Sequence, residues 1–408
     1  MSASVQCCIA GGGPAGMMLG LLLARAGVQV AVLEKHRDFL RDFRGDTIHP
    51  STLELMHELG WLEEFLALPH ERVDEVRAWI GGSEVAVADF RRLPVRAPFI
   101  ALMPQWDFLD FLADKARRFP GFRLHMEAKV EDLLLSGDGR VCGVRASTPQ
   151  GPLEVEAALV VGADGRHSDV RARAGLAVED LGAPIDVLWF RLSRQAGDPP
   201  ATMARFDRGR IVVMLNRGDY WQCAFVIAKG TVEALRAGGL EAFRARLGAG
   251  LPFPDERVTE LSSWDDVKLL TVQVNRLKTW CAEGLLCIGD AAHAMSPVGG
   301  VGINLALQDA VAAANLLWQP LRENAVTVEA LRKVQERREL PTCLTQRFQV
   351  LVQNAILAPL LRADAGGPPL EPPLPARLLA RYPLLRGVPA RIVGIGVRPE
   401  HIRSPALA

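Results

Sequence analysis

The sequence predicts an α/β protein of two interleaved lobes, one built on a parallel sheet and the other on amphipathic strands. Three observations carry this. The first 34 residues run as apolar strand, glycine turn, helix, second strand and acid; two further apolar strands far downstream each end in Asp-Gly or Gly-Asp; and between residues 181 and 265 the texture changes to alternating strands. At 408 residues the chain has room for two or three domains, and 49% apolar with 23% charged residues is a globular composition. Forty-seven Lys and Arg balance forty-seven Asp and Glu, so no net field draws nucleic acid. The seven Cys include no C-x-x-C pair, which argues against a zinc site and a disulfide framework and for a reducing compartment. No basic segment precedes an apolar run at the N-terminus, so the expected location is cytoplasmic.

Val5 to Ala10 is a run of strand length that enters Gly11-Gly12-Gly13-Pro14-Ala15-Gly16, a G-x-G-x-x-G. Met17 to Ala26 reads as an apolar helix stopped by Gly27, and Val28 to Leu33 as a second buried strand ending in Glu34. Gly11 permits the turn, Gly13 lets backbone approach a pyrophosphate, and Gly16 brings helix against strand. The helix N-terminus offers N–H groups to phosphate, and Glu34 stands where a carboxylate accepts from ribose hydroxyls. Ala15 within the turn and Lys35 beside the acid complete this candidate set. The pattern predicts a Rossmann-like lobe that binds an adenine dinucleotide.

Leu159 to Arg171 reads as a strand followed by Asp164-Gly165-Arg166 and a helix start capped by Ser168. Leu285 to His293 is again a strand, ending in Gly289-Asp290. Pro297-Val298-Gly299-Gly300-Val301-Gly302-Ile303-Asn304 then opens a helix so uniformly apolar as far as Trp318 that it must be central. Asp290 suits the hydroxyls of a ribityl chain, and the glycine-rich helix start suits an electron-rich ring edge.

With these residues in hand, the sequence resembles the class A flavoprotein monooxygenases of the para-hydroxybenzoate hydroxylase fold, from Val5 to about residue 361. GGGPAG with Glu34, ADGRHSDVR, and GDAAHAMSP followed by VGGVGINLALQDA occur in the right order. The resemblance implies FAD held in a glutathione-reductase-type domain, with NADPH or NADH as a transient donor. It also implies hydroxylation with O2 through a flavin C4a-hydroperoxide. Carried over by position, Arg44 lies near the pyrophosphate and ribityl, Gln105 contacts the dinucleotide, Pro297 borders the oxygen-reactive edge, and the backbones of Ile303 and Asn304 meet the pyrimidine end, with Gly300 and Gly302 in the same turn. Asp164 reads either as a cofactor contact or as a helix-start anchor, and His293 reads as structural. No catalytic side chain is identified, because the chemistry is borne by the flavin.

No second G-x-G-x-x-G follows a strand, and neither H-E-x-x-H, G-x-S-x-G, a P-loop nor the W-x-W-x-I-P of related halogenases is present, so metal, hydrolase, kinase and halogenase functions lose support. The expected division is an FAD-binding lobe of 1–72, 100–180 and 266–361, an inserted mixed-sheet substrate lobe of 73–99 and 181–265, and a proline-rich tail of 362–408 along the surface. In the second lobe a hairpin turns at Arg217-Gly218-Asp219. Met214, Trp221 and Phe225 are candidate substrate contacts, the alternative being that their face packs on the lobe's own helices. Phe348 to Leu361 falls short of the roughly 20 residues a spanning helix needs, so it reads as a packed helix or a peripheral lipid contact. The expected partners are a small molecule and O2. Hydroxylation of an aromatic or conjugated substrate is the leading function. The alternatives are a reductase or desaturase of the same fold without oxygen insertion, and a non-catalytic FAD-bound protein.

Overall fold

The computed structural model describes residues 2–40, 47–199, 202–253, 255–364 and 366–407. Strand β1 (Ser2–Ala10) enters α1 (Pro14–Arg25) and returns as β2 (Val30–Leu33). Helix α2 (Pro50–Glu58), a hairpin of β3 (Glu75–Ile80) and β4 (Ser83–Asp89), helix α3 (Gln105–Ala116) and strand β5 (Phe122–His125) follow. After β6 (Gly151–Gly162) the chain crosses to β7 (Ile185–Ser193), β8 (Met203–Asp207), β9 (Arg210–Asn216) and β10 (Tyr220–Ala228). Helix α4 (Leu240–Gly248) and β11 (Lys268–Leu270) complete that excursion. The chain comes back as β12 (Leu285–Cys287), α5 (Gly302–Arg322) and α6 (Val328–Val352), and ends with α7 (Leu374–Arg381) and α8 (Gly387–Gly394).

In the first lobe β12, β6, β1, β2 and β5 lie side by side in that order, all parallel. Parallel strands covered on both faces have no polar side to show, which is why Cys7, Cys8 and Ile9 are wholly buried. Helix α1 starts earlier than its apolar run suggests because Pro14, at the first helical position, costs no hydrogen bond there. It approaches the sheet closely at Gly20, where a Cβ would lie 2.8 Å from Val32. Helix α5 is buried without interruption from Asn304 to Ala314. The segment Val298–Arg322 is long and apolar enough to cross a bilayer, yet 72% of its most apolar window is buried inside the protein, as a central core helix requires.

The second lobe is a seven-stranded sheet in the order β11-β7-β10-β9-β8-β3-β4. It is mixed, since β8 and β3 are parallel while the other pairs are antiparallel. The sheet runs on to Leu270 through the pairing of β11 with β7, a few residues past the expected boundary at 265. Period-two alternation separates its faces. Leu188, Phe190, Met214, Trp221, Cys223 and Phe225 pack with Phe243 and Leu247 of α4, whereas Val187, Ala224 and Val226 pack with Val298 and Leu357 of the first lobe.

The proline-rich tail wraps the molecule and forms short helices as it does so. Helices α7 and α8 rest on β4, Leu370 lies against Gly81, and Glu400 and Leu407 bond back to Arg337 and Arg25 of the first lobe.

Candidate active site

The three motifs meet. Gly11 adopts φ +106°, and a Cβ there would lie 2.4 Å from the carbonyl oxygen of Ala163, so the glycine turn abuts the Asp-Gly motif. A Cβ at Gly16 would lie 2.0 Å from the oxygen of Gly11, so only glycine lets α1 start against the turn. Gly289 (φ +59°) stands between the first turns of α1 and α5, its Cβ position 3.2 Å from the Cβ atoms of both Ala15 and Ala306. Arg171 donates to the carbonyl of Ala291 (3.2 Å), and the Arg166 guanidinium lies 4.0 Å from Asp290. Neither α1 nor α5 has a side-chain cap at its N-terminus, and Gly13, the residue before α1, faces open space. Two helix N-termini with unspent N–H groups therefore border one cleft.

Glu34, at the end of β2, accepts from the Gly12 N–H (2.8 Å), which ties the acid to the turn. Lys35 is exposed beside it. Gln105, half-buried, opens α3, another helix without a side-chain cap. Arg44 lies outside the described residues. Asp290 is about one-third exposed at the lip of the cleft. Pro297 is half-buried before the turn that leads through Gly300, Gly302 and Ile303 to the buried Asn304. Asp164 serves as the helix-start anchor: it accepts from the Ser168 hydroxyl and the Val170 N–H (3.1 Å), and burial pushes its carboxyl up despite those bonds.

Several residues that hold this site were not evident from the motifs. Asp309, wholly buried in α5, accepts from the Gly289 N–H (3.0 Å), His293 Nε2 (2.5 Å) and Arg338 Nε (3.0 Å). Burial alone would raise its carboxyl, but the charges and hydrogen bonds of His293 and Arg338 outweigh burial and hold it below the usual carboxylate range. His293 is thus a structural clamp. On α6 and the π turn that continues it, Gln346, Gln349 and Gln353 turn inward and hold the loop: Gln349 bonds both the N–H and carbonyl of Ser296 and the carbonyl of Val298. The Phe348–Leu361 segment is therefore helical with Gln349 and Gln353 inside, while Phe348, Leu351, Asn354 and Ile356 face solvent. His49, fully buried before α2, donates from Nδ1 to the carbonyl of Val393 (2.8 Å), and its N–H reaches Asn304 Oδ1 (3.2 Å). Burial pushes the His49 imidazole down to about 4, so the ring is neutral. Its Nε2 and Asn304 Nδ2 are buried with no partner among the described residues, an acceptor and a donor on neighbouring side chains beside Gly300. The sequence signal was a His five residues beyond Arg44, at a helix start, with nothing to distinguish it from a surface cap.

The expectation that Met214, Trp221 and Phe225 line a substrate cavity is corrected. All three are at most 1% exposed on the α4 side of the sheet. Trp221 donates to Asp198 (2.8 Å), and Phe225 meets Phe243 edge to face at 5.6 Å. Alternation puts Trp189, Val213, Ala224 and Val226 on the face toward Val298, and the indole N–H of Trp189 is buried there without an acceptor among the described residues.

The residues fit an FAD: a glycine turn pressed on two other motifs, uncapped helix N-termini, a partly exposed Asp290, and orphaned polar atoms at the mouth of α5. A family described as FAD binding domain matches residues 4–347. The chain is 34% identical over 406 residues to 6-methylpretetramide 4-monooxygenase of Streptomyces rimosus, covering 98% of this chain and 95% of that protein. It is 30% identical to rifampicin monooxygenase of Streptomyces venezuelae over 76% of this chain, but spans only 63% of that protein's length. Among solved structures, p-nitrophenol 4-monooxygenase from Pseudomonas putida superposes with TM-score 0.73 at 21% identity, covering 96% of this chain and 97% of that one, a likeness of fold. The chain thus belongs to the FAD-binding-domain family and is an FAD-dependent class A flavoprotein monooxygenase.

Proposed function

We propose that the protein hydroxylates an aromatic or conjugated, largely apolar small molecule, drawing electrons from NADPH or NADH and the inserted oxygen atom from O2. The observation that carries this reading is the meeting of three distant motifs at two helix N-termini without side-chain caps, with an apolar sheet face packed against the Val298 turn beside them. The FAD would supply the redox and oxygen chemistry. The chain's own residues bind and shield. The N–H groups that open α5 stabilise negative charge on an adjoining ring edge, and the glutamines of α6 hold the Ser296–Val298 backbone in place. Val213, Ala224, Val226 and Val298 exclude water, and Trp189 offers an N–H to a polar atom of the substrate. The substrates in the relatives' names, 6-methylpretetramide and rifampicin, support an aromatic small molecule. A sequence with a single G-x-G-x-x-G supports a nicotinamide donor that visits rather than resides. Free Cys7, Cys8 and Cys287 suit a reducing compartment such as the cytoplasm.

The test is turnover under isotopically labelled dioxygen with NAD(P)H and a panel of phenols, quinones and fused-ring aromatics. Label in the product is expected. Product formed without label would replace hydroxylation with hydride transfer.

A further inference from the structure

From Leu374 to Pro399 the chain carries Arg377, Arg381, Arg386, Arg391 and Arg398 and no Asp or Glu, in a protein whose total charge is zero. The same stretch exposes Leu374 (68%), Tyr382, Leu384 (75%), Leu385, Val388 (58%) and Ile392. Helices α7 and α8 rest on β4 with Ala376, Ala390 and Gly394 buried and Val393 partly so, while Leu374, Leu378, Val388 and Ile392 face outward. That is the reverse of what packing on this chain alone would select.

We propose that this segment docks the enzyme on an anionic lipid surface, its leucine, valine and isoleucine side chains entering the headgroup boundary while the arginines meet lipid phosphates. Exposed apolar side chains interleaved with the exposed arginines Arg381 and Arg391 are what an interfacial segment needs, and neither feature helps a surface that faces only water; Arg386 is not part of this set, because it is mostly covered and pairs with Glu75 at 3.5 Å. Arg381 and Arg391 are exposed and form no ion pair among the described residues. Arg377 pairs, among the described residues, only with the exposed Glu371, a contact it gives up cheaply. A symmetric second copy on this face would set arginine against arginine with no carboxylate in the segment to intervene. The docked segment also forms the rim of the site: Val393 holds His49 through its carbonyl, and its side chain lies 3.8 Å from the Cβ position of Gly299. An apolar substrate dissolved in the bilayer would enter there. That consequence rests on the function proposed above, whereas the docking does not.

The flavin-loaded enzyme is to be sedimented with phosphatidylcholine vesicles and with vesicles containing about 30% phosphatidylglycerol. Pelleting with the anionic vesicles, weakened as salt rises from about 0.1 M to about 1 M, is expected. Arg381→Glu with Arg391→Glu should cut partitioning about tenfold or more. Leu374→Ser with Leu384→Ser should do the same, with flavin absorbance and thermal midpoint unchanged because all four side chains are exposed. Wild-type protein left in the supernatant, or variants that pellet like it, would overturn the proposal. So would polyglutamate binding in place of vesicle binding, which assigns the face to an acidic protein, or a dimer that Leu384→Ser converts to monomer. Labelled-oxygen turnover in solution is independent of every one of these outcomes.

Discussion

His49 shows how one buried side chain joins distant parts of the chain. Its backbone N–H is tied to Asn304 of α5 and its ring to Val393 of the C-terminal segment. Because burial lowers its pKa from 6.5 to about 4, the unfolded chain binds a proton between those values that the folded chain refuses. Stability therefore falls as pH drops through that window, by about 3 kcal/mol when complete. His49→Gln should flatten the slope between pH 7 and 4.5, read by denaturant unfolding at the two pH values. At the cleft lip, Asp290 makes no hydrogen bond among the described residues, and the Arg166 guanidinium is 4.0 Å away. Asp290→Ala should leave the thermal midpoint of the apoprotein within about 0.5 kcal/mol of wild type while weakening FAD retention severalfold. Absorbance after gel filtration and titration of apoprotein with FAD measure this, and unchanged occupancy would remove Asp290 from the cofactor site.

At the scale of elements, the turn between β12 and α5 depends on close approach. Gly289 has a positive φ, and a Cβ there would lie 3.2 Å from two alanine Cβ atoms, so Gly289→Ala combines backbone strain with overpacking. A loss of about 2 to 4 kcal/mol is expected from thermal unfolding, with flavin retention reduced in parallel. The glutamines of α6 illustrate a different constraint. Gln349 and Gln353 read as interruptions of an apolar helix, yet they face inward because the Ser296–Val298 loop presents backbone groups that need partners in a buried setting. Gln349→Leu keeps the volume but strands those groups. It should cost about 1 to 3 kcal/mol and disturb the flavin spectrum, since the loop borders the cofactor cleft.

Across the whole molecule the tail couples the lobes. Glu400, 4% exposed, accepts from Arg337 (2.7 Å) and lies 3.5 Å from Arg338, which in turn holds Asp309 beneath the Gly-Asp turn. Glu400→Gln removes a charge from a buried network and should lower stability by about 2 to 3 kcal/mol, seen as a shifted denaturant midpoint, although the residue lies far along the chain from any cofactor motif.

The glycine turn, the two downstream strand-and-acid motifs and the central helix were legible because each is local: a strand period, a turn that demands glycine, a helix start and a run of apolar residues sit in consecutive positions. The alternation of β10 was legible for the same reason, but not which face met the cleft. Periodicity divides Trp221 and Phe225 from Ala224 and Val226 without saying whether α4 or the first lobe covers each set. Tertiary structure alone decided that, along with the fates of His49, the inward glutamines and Glu400. Their partners lie 51 to 344 residues away, and polar side chains carry no periodic signal for the burial such partners make possible.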